Sequence, residues 1–158
     1  MITYSINDLS KTSDRYNLYI LPCIPATLQE CISFLQSQNI PVVNIGKEIS
    51  TFINGLEDYS YLNMDVFDFT IKLLEVTKAQ INGSGNDVVA IYNLGILLEP
   101  ALELKTSQMI KEFSKSTSLI IIWENQMDLT EELCWPTQKN DYFFDFTDTH
   151  LKTLQNAI

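Results

Sequence analysis

The chain is short of the residues that build metal and redox centres. It has one histidine, His150, and three cysteines, Cys23, Cys31 and Cys134, no two of which form a C-x-x-C pair. A structural zinc site needs about four closely spaced N or S donors, so this set argues against a metal and the cysteines read as reduced, mostly buried thiols. Positive charge is scarce as well. Ten basic residues against twenty acidic ones leave a formal net charge of −10, which repels nucleic-acid phosphates and anionic membranes at long range. No apolar run approaches the ~20 residues that cross a bilayer. Residues 1–8 lack the basic and apolar regions of a secretion signal, and the expectation is a cytoplasmic protein. Repeats, linkers and low-complexity stretches are likewise missing. A length of 158 residues then suits one α/β domain over 1–158, with 1–16 as a polar lead-in segment.

What is present is an alternation of β-rich and helix-patterned segments. Residues 19–21 read as a first core strand, and Pro25 suits the first position of a helix striped by Leu28, Cys31, Ile32 and Leu35. Residues 41–45 read as a short strand closed by Gly46, and 48–56 as a helix presenting Ile49, Phe52 and Ile53. Residues 64–81 carry Val66, Phe67, Ile71, Leu74 and Lys78 at helical spacing and run into a breaker stretch at 82–87. The uninterrupted apolar run at 88–92 has the pattern of a strand buried on both faces. After Pro100, residues 101–115 predict a helix bearing Leu104, Met109, Ile110 and Phe113, and the strongly β-prone 118–123 belongs at the centre. Residues 141–146 read as a closing strand, with a last short helix from Thr149. Such alternation predicts an α/β fold whose mostly parallel sheet is covered by helices on both faces.

Residues 18–36 have the outline of a phosphate-binding loop and almost none of its chemistry. Strand, Pro-punctuated turn and amphipathic helix stand where a nucleotide-binding protein places G-x-x-x-x-G-K-[ST], yet the segment contains neither Gly nor Lys. Such a loop binds phosphate through backbone N–H groups in conformations that favour Gly, and Lys adds positive charge. Forcing a residue such as Ile24 into the left-handed region costs roughly 1–2 kcal/mol. Pro22 and Pro25 also remove two donors. A helix N-terminus near Thr27 remains, whose dipole holds an anion only weakly. A nucleotide hydrolase further needs a carboxylate at the end of a buried strand for the magnesium water shell. The strand at 88–92 instead runs into Asn93, Leu94 and Gly95, while Glu99 reads as a cap before Pro100. Neither a catalytic residue nor a cofactor or metal is expected.

These segments together resemble the small P-loop proteins of type 3 BREX phage-defence systems. The resemblance covers about residues 17–148 and is carried by Pro-Val-Val-Asn-Ile at 41–45, Glu-Ile-Ser at 48–50, and the runs at 88–100 and 113–123. It implies a P-loop NTPase-like three-layer sandwich. It also places Leu21, Ile24 and Ala26 at the loop glycines, Thr27 at the lysine and Leu28 at the Ser or Thr. Tyr92 falls at the strand carboxylate, Gly95 at the glutamate that follows, and Ser116 near the basic residue before the next strand. Each of these positions departs from the family's pattern. What is implied is a degenerate, non-catalytic accessory subunit of a bacterial antiphage complex, hetero-oligomeric with a larger nuclease or ATPase; the acidic charge separately argues against direct nucleic-acid or membrane contact.

Tyr59, Tyr61 and Trp135 are the candidate partner-binding residues, because aromatics concentrate at the energetic centres of interfaces. Trp123, Phe144 and Phe146 read as core. The acidic pairs Glu57 with Asp58, Asp65 with Asp68, and Glu131 with Glu132 read as helix starts or solvated faces. His150 lies near Asp145 and Asp148, but no G-x-S-x-G elbow supplies a nucleophile. Two other readings remain open at this point. One is a nucleotide-binding protein with an unorthodox loop or a site completed in trans; the other is an acidic inhibitor or antitoxin-like binder.

Overall fold

The computed structural model describes residues 3–9, 14–81, 85–125 and 132–155. Three strands built on apolar runs form the middle of the sheet: β2 (Leu18–Pro22), β5 (Asp87–Tyr92) and β6 (Thr117–Trp123). Every residue of β6 is buried, as its central position requires. With β1 (Thr3–Tyr4), β3 (Val42–Asn44) and β9 (Lys152–Leu154), the order is β1-β9-β2-β6-β5-β3, all parallel. A short antiparallel strand, β4 (Ala79–Gln80), pairs with Asp87 and Val88 of β5.

Side chains alternate across these strands and so feed two separate cores. Leu18, Ile20, Val89, Ile91, Leu119 and Ile121 face α2 (Ile45–Asn54), α3 (Leu62–Thr77) and α4 (Thr106–Phe113). On the opposite face Tyr19, Leu21, Val88, Ala90, Ile120 and Ile122 meet Leu9 and the Cys31, Ile32 and Leu35 stripe of α1 (Leu28–Ser37). The result is a mostly parallel sheet between helical layers. Each fully buried Leu or Ile contributes about 1.5–3 kcal/mol, so both faces are strongly specified.

Several expectations are corrected. The helix after β3 begins at Ile45 rather than beyond Gly46, because the Asn44 side chain accepts from the Lys47 N–H at 3.0 Å and caps it directly. The helix expected over 101–115 is cut by Glu103 in the left-handed region (φ 48), which leaves a 3-10 turn at Pro100–Leu102 and α4 from Thr106. Glu99 sits at the N-cap position of that turn, but its side chain makes no capping bond. On α3 the buried line is Val66, Thr70 and Leu74, with the Thr70 hydroxyl donating to the Val66 carbonyl at 2.7 Å. Phe67 is left exposed.

The tail differs most. Residues Asp141–Asp145 form a strand, β8, but it pairs in an antiparallel hairpin with β7 (Glu132–Pro136), off the main sheet. The helix expected from Thr149 is β9 instead. Asp148 and His150 adopt left-handed backbones (φ 70 and 51) that no helix accommodates, and β9 inserts between β1 and β2. Its Lys152 is buried, paired with Asp14 at 2.6 Å and donating to the Tyr16 carbonyl at 3.2 Å. The polar lead-in also contributes structure, since β1 joins the sheet and Leu9 is fully buried. Of the cysteines, Cys31 is buried and Cys23 and Cys134 are half-buried. Gly85 takes φ 83 in the breaker stretch; residues 82–84 of that stretch, and Glu131, lie outside the described residues.

Candidate site at the carboxyl edge of the sheet

In open parallel sheets ligands bind outside the carboxyl ends of strands, where the connections diverge. Here the chain leaves β2 toward β3 and leaves β6 toward β9, so β2 and β6 flank the divergence. Their ends are joined by the Cys23 N–H donating to the Trp123 carbonyl at 2.9 Å. The link from β2 to α1 is short. Only Cys23 and Ile24 separate β2 from a 3-10 turn at Pro25–Thr27 that leads directly into α1.

The link does not form the backbone nest of a phosphate-binding loop. None of its residues occupies the left-handed region among the described positive-φ residues, so its N–H groups do not converge as a nest requires. The Thr27 N–H and hydroxyl both bond back to the Ile24 carbonyl, at 3.0 and 3.2 Å. The Leu28 N–H bonds to the Pro25 carbonyl. Leu21 is buried in the sheet, while Ile24 and Ala26 are exposed. Glu30 lies in the first turn of α1 and places a negative charge where an anion would approach.

The second half of the edge is closed by side chains. Asn93 follows β5 with φ 59 and donates from Nδ2 to Asn44 Oδ1 at 2.9 Å, tying the ends of β5 and β3 together. The contact leaves room for nothing larger than hydrogen at Gly46, where an added Cβ would collide with Asn93 Nδ2. At Gly95 the indole of Trp135 takes the space: a Cβ there would meet the ring at 2.5 Å. Trp135 also packs edge-on against Trp123 at 5.6 Å, Trp123 against Phe144 at 5.8 Å, and Phe144 stacks on Phe146 at 6.0 Å. Tyr92 is half-buried against the α1 core.

What is left is a cleft of about 280 Å³ lined by Pro25, Asn93, Ile122, Trp123, Glu124, Asn125, Trp135 and Pro136. Among the described residues that line it there is no cationic side chain, and the one charged residue is an acid. Polyphosphates are held by charge-assisted bonds from Lys, Arg or convergent N–H groups, and the cleft offers none of the first two. Burial pushes the thiol of Cys23, which follows β2 and packs against the α1 core, up to about 12, with the neighbouring Cys31 thiol and Glu124 acting in the same direction. Such a thiol stays protonated and is a poor nucleophile. No cluster of three metal-ligating side chains occurs among the described residues.

The structure separates the three aromatic candidates. Trp135 is half-buried and serves the interior, whereas Tyr59 and Tyr61 are exposed at the start of α3. Ser116 precedes β6 and is exposed. The Asn44 and Asn93 clamp was not anticipated; two asparagines immediately after short apolar runs were its only sequence signal, since Asn both caps helices and tolerates left-handed backbone. No described helix is long and apolar enough to cross a membrane. The sequence matches no protein-family model, and no match is found among curated proteins or solved structures.

Proposed function

We propose that the chain is a non-catalytic, P-loop-like accessory subunit of a bacterial antiphage defence complex, acting by protein binding to position or regulate a larger nuclease or ATPase. The observation that carries this reading is the occupied carboxyl edge. Where a nucleotide would lie, the indole of Trp135 rests on Gly95, the Asn44–Asn93 clamp closes the adjoining strand ends, and the β2–α1 link presents no convergent donors. The strand order supports a P-loop-like ancestry: β6 stands between the loop strand β2 and the strand β5 that would carry the magnesium carboxylate. The defence role rests on the sequence resemblance.

The test joins calorimetry of the full chain against magnesium-ATP with recovery of the tagged chain co-expressed with the products of adjacent genes. The expected result is no saturable nucleotide binding and recovery in a stable complex. Saturable micromolar binding that Thr27→Asp abolishes would overturn the non-catalytic reading, and a clean monomer without companions would overturn the assembly.

A further inference from the structure

Seven large hydrophobic side chains are exposed among the described residues, and four of them, Tyr59, Tyr61, Met64 and Phe67, fall in one short stretch. Met64 and Phe67 lie one turn apart on α3, and Tyr61 is the residue that opens the helix just before them. The corner that carries them is held rigid from three directions. Phe52 of α2 stacks on Phe69 of α3 with ring centroids 4.2 Å apart. Asn63 Nδ2 donates to the Leu102 and Glu103 carbonyls, each at 2.7 Å. Asp58 Oδ1 accepts from the Ser60 N–H at 2.9 Å and from its hydroxyl at 2.6 Å, which fixes the turn before the helix.

Exposed apolar groups on a rigid frame mark an interaction surface, and the charge around them selects its occupant. Between Lys47 and Lys72 the chain has no basic residue, while Glu57, Asp58 and Asp68 are exposed on the same stretch and Asp65 is half-buried. The two hydrogen bonds from Ser60 hold the Asp58 carboxyl below the usual carboxylate range. A second copy meeting this face across a two-fold axis would set like charges against one another. A cationic partner gains twice. Its Arg or Lys side chains meet carboxylates and also stack on the Tyr rings, while interleaved Leu or Met side chains cover Met64 and Phe67.

We infer that the α2–α3 corner is the docking site for a basic amphipathic helix of the partner protein, with Tyr61, Met64 and Phe67 as its apolar floor. This inference rests on the accessory-subunit reading and names the surface that subunit uses. The probe is a synthetic amphipathic helix with Leu on one face and Arg along its flanks, titrated into the full chain beside a scrambled peptide of identical composition. Calorimetry at about 150 mM salt suppresses long-range attraction. Saturable binding of the patterned peptide, about tenfold tighter than of the scrambled one, is expected.

Tyr61→Ser, and the reversal Glu57→Arg with Asp68→Arg, should each weaken that binding about tenfold or more. The distant reversal Glu30→Arg with Asp141→Arg, equal in charge, should change it less than about twofold. Equal binding of the scrambled peptide, equal loss in the distant variant, or no binding by the intact chain would overturn the inference. So would self-association of the chain that the corner variants abolish. If the chain is recovered in a defence complex that Tyr61→Ser leaves intact, this corner is not the contact although the accessory role stands; recovery without companions defeats the role itself.

Discussion

Two clusters of large apolar side chains have opposite fates in this molecule. Trp123, Trp135, Phe144 and Phe146 pack on one another over the carboxyl edge of the sheet, whereas Tyr59, Tyr61, Met64 and Phe67 stand exposed at the start of α3. In the first, the hairpin residues Trp135 and Phe144 pack onto Trp123 of β6, with Trp135 against the small residue Gly95; the second is surrounded by carboxylates around the start of a helix already anchored by its other face. Aromatic content therefore does not identify a docking surface. What distinguishes the two is whether the neighbouring backbone leaves a space of the right shape for the ring.

The contrast can be broken most forcefully from the inside. Trp123→Ala removes a fully buried ring that touches both Trp135 and Phe144, and should cost about 3–5 kcal/mol in urea-unfolding measurements. Gly95→Ala drives a methyl into the Trp135 indole and should cost about 1–3 kcal/mol by the same assay. Gly95→Ala combined with Trp135→Ala should recover the clash component of that loss, which a double-mutant cycle reads directly.

Next in size is the effect of pH on Cys23. Its thiol is raised in the folded protein, so the unfolded chain ionises first and binds fewer protons between about 9 and 12. The contribution is thus intact below about 9 and is lost as pH rises through that window. At mild alkalinity Cys23 should react with a thiol reagent much more slowly in the native chain than after denaturation, as timed mass spectrometry would show. The exposed cluster should behave oppositely to the buried one. Tyr61→Ser places a preferred capping residue at the N-cap of α3 and is expected to leave stability unchanged or raise it by about 1 kcal/mol while weakening partner binding. Smallest is Ser60→Ala, which removes the hydroxyl bond that helps hold the Asp58 carboxyl low and should move its NMR titration toward the ordinary value.

The sequence made the central strands legible because runs such as 88–92 and 118–123 have no other comfortable environment than a sheet interior. The α1 stripe was equally readable from its 3.6-residue spacing, and Pro25 from its fixed φ. Local pattern could not reveal left-handed backbone at Glu103, Asp148 and His150, since each is set by what the flanking segments pack against. Those three residues account for the split helix and for β9 in place of a helix. At the carboxyl edge the missing donors were legible as residue types. The Trp135 plug was not, because it depends on a hairpin whose strands, apart from 141–146, had no separate signal.

β9 also has a kinetic meaning. It lies between β1 and β2, with Thr3 beside Thr153 and Ile20 beside the same residue on the other edge, so β1 has no partner in the sheet until β9 has docked. Loop-closure entropy grows only slowly with separation, so the joining of β2 to β6 (Leu18 beside Leu119) and of β9 to β2 (Tyr19 beside Lys152) costs nearly the same, and both cost more than the β5–β6 pairing (Asp87 beside Thr117). The pairings nearest in sequence, β5 with β6 and β3 with β5, are the cheapest to close, and β2 and β9 join them over longer loops. In the closure of this flank Lys152 reaches Asp14 and Tyr16, and the two ends of the described chain become adjacent strands of one sheet.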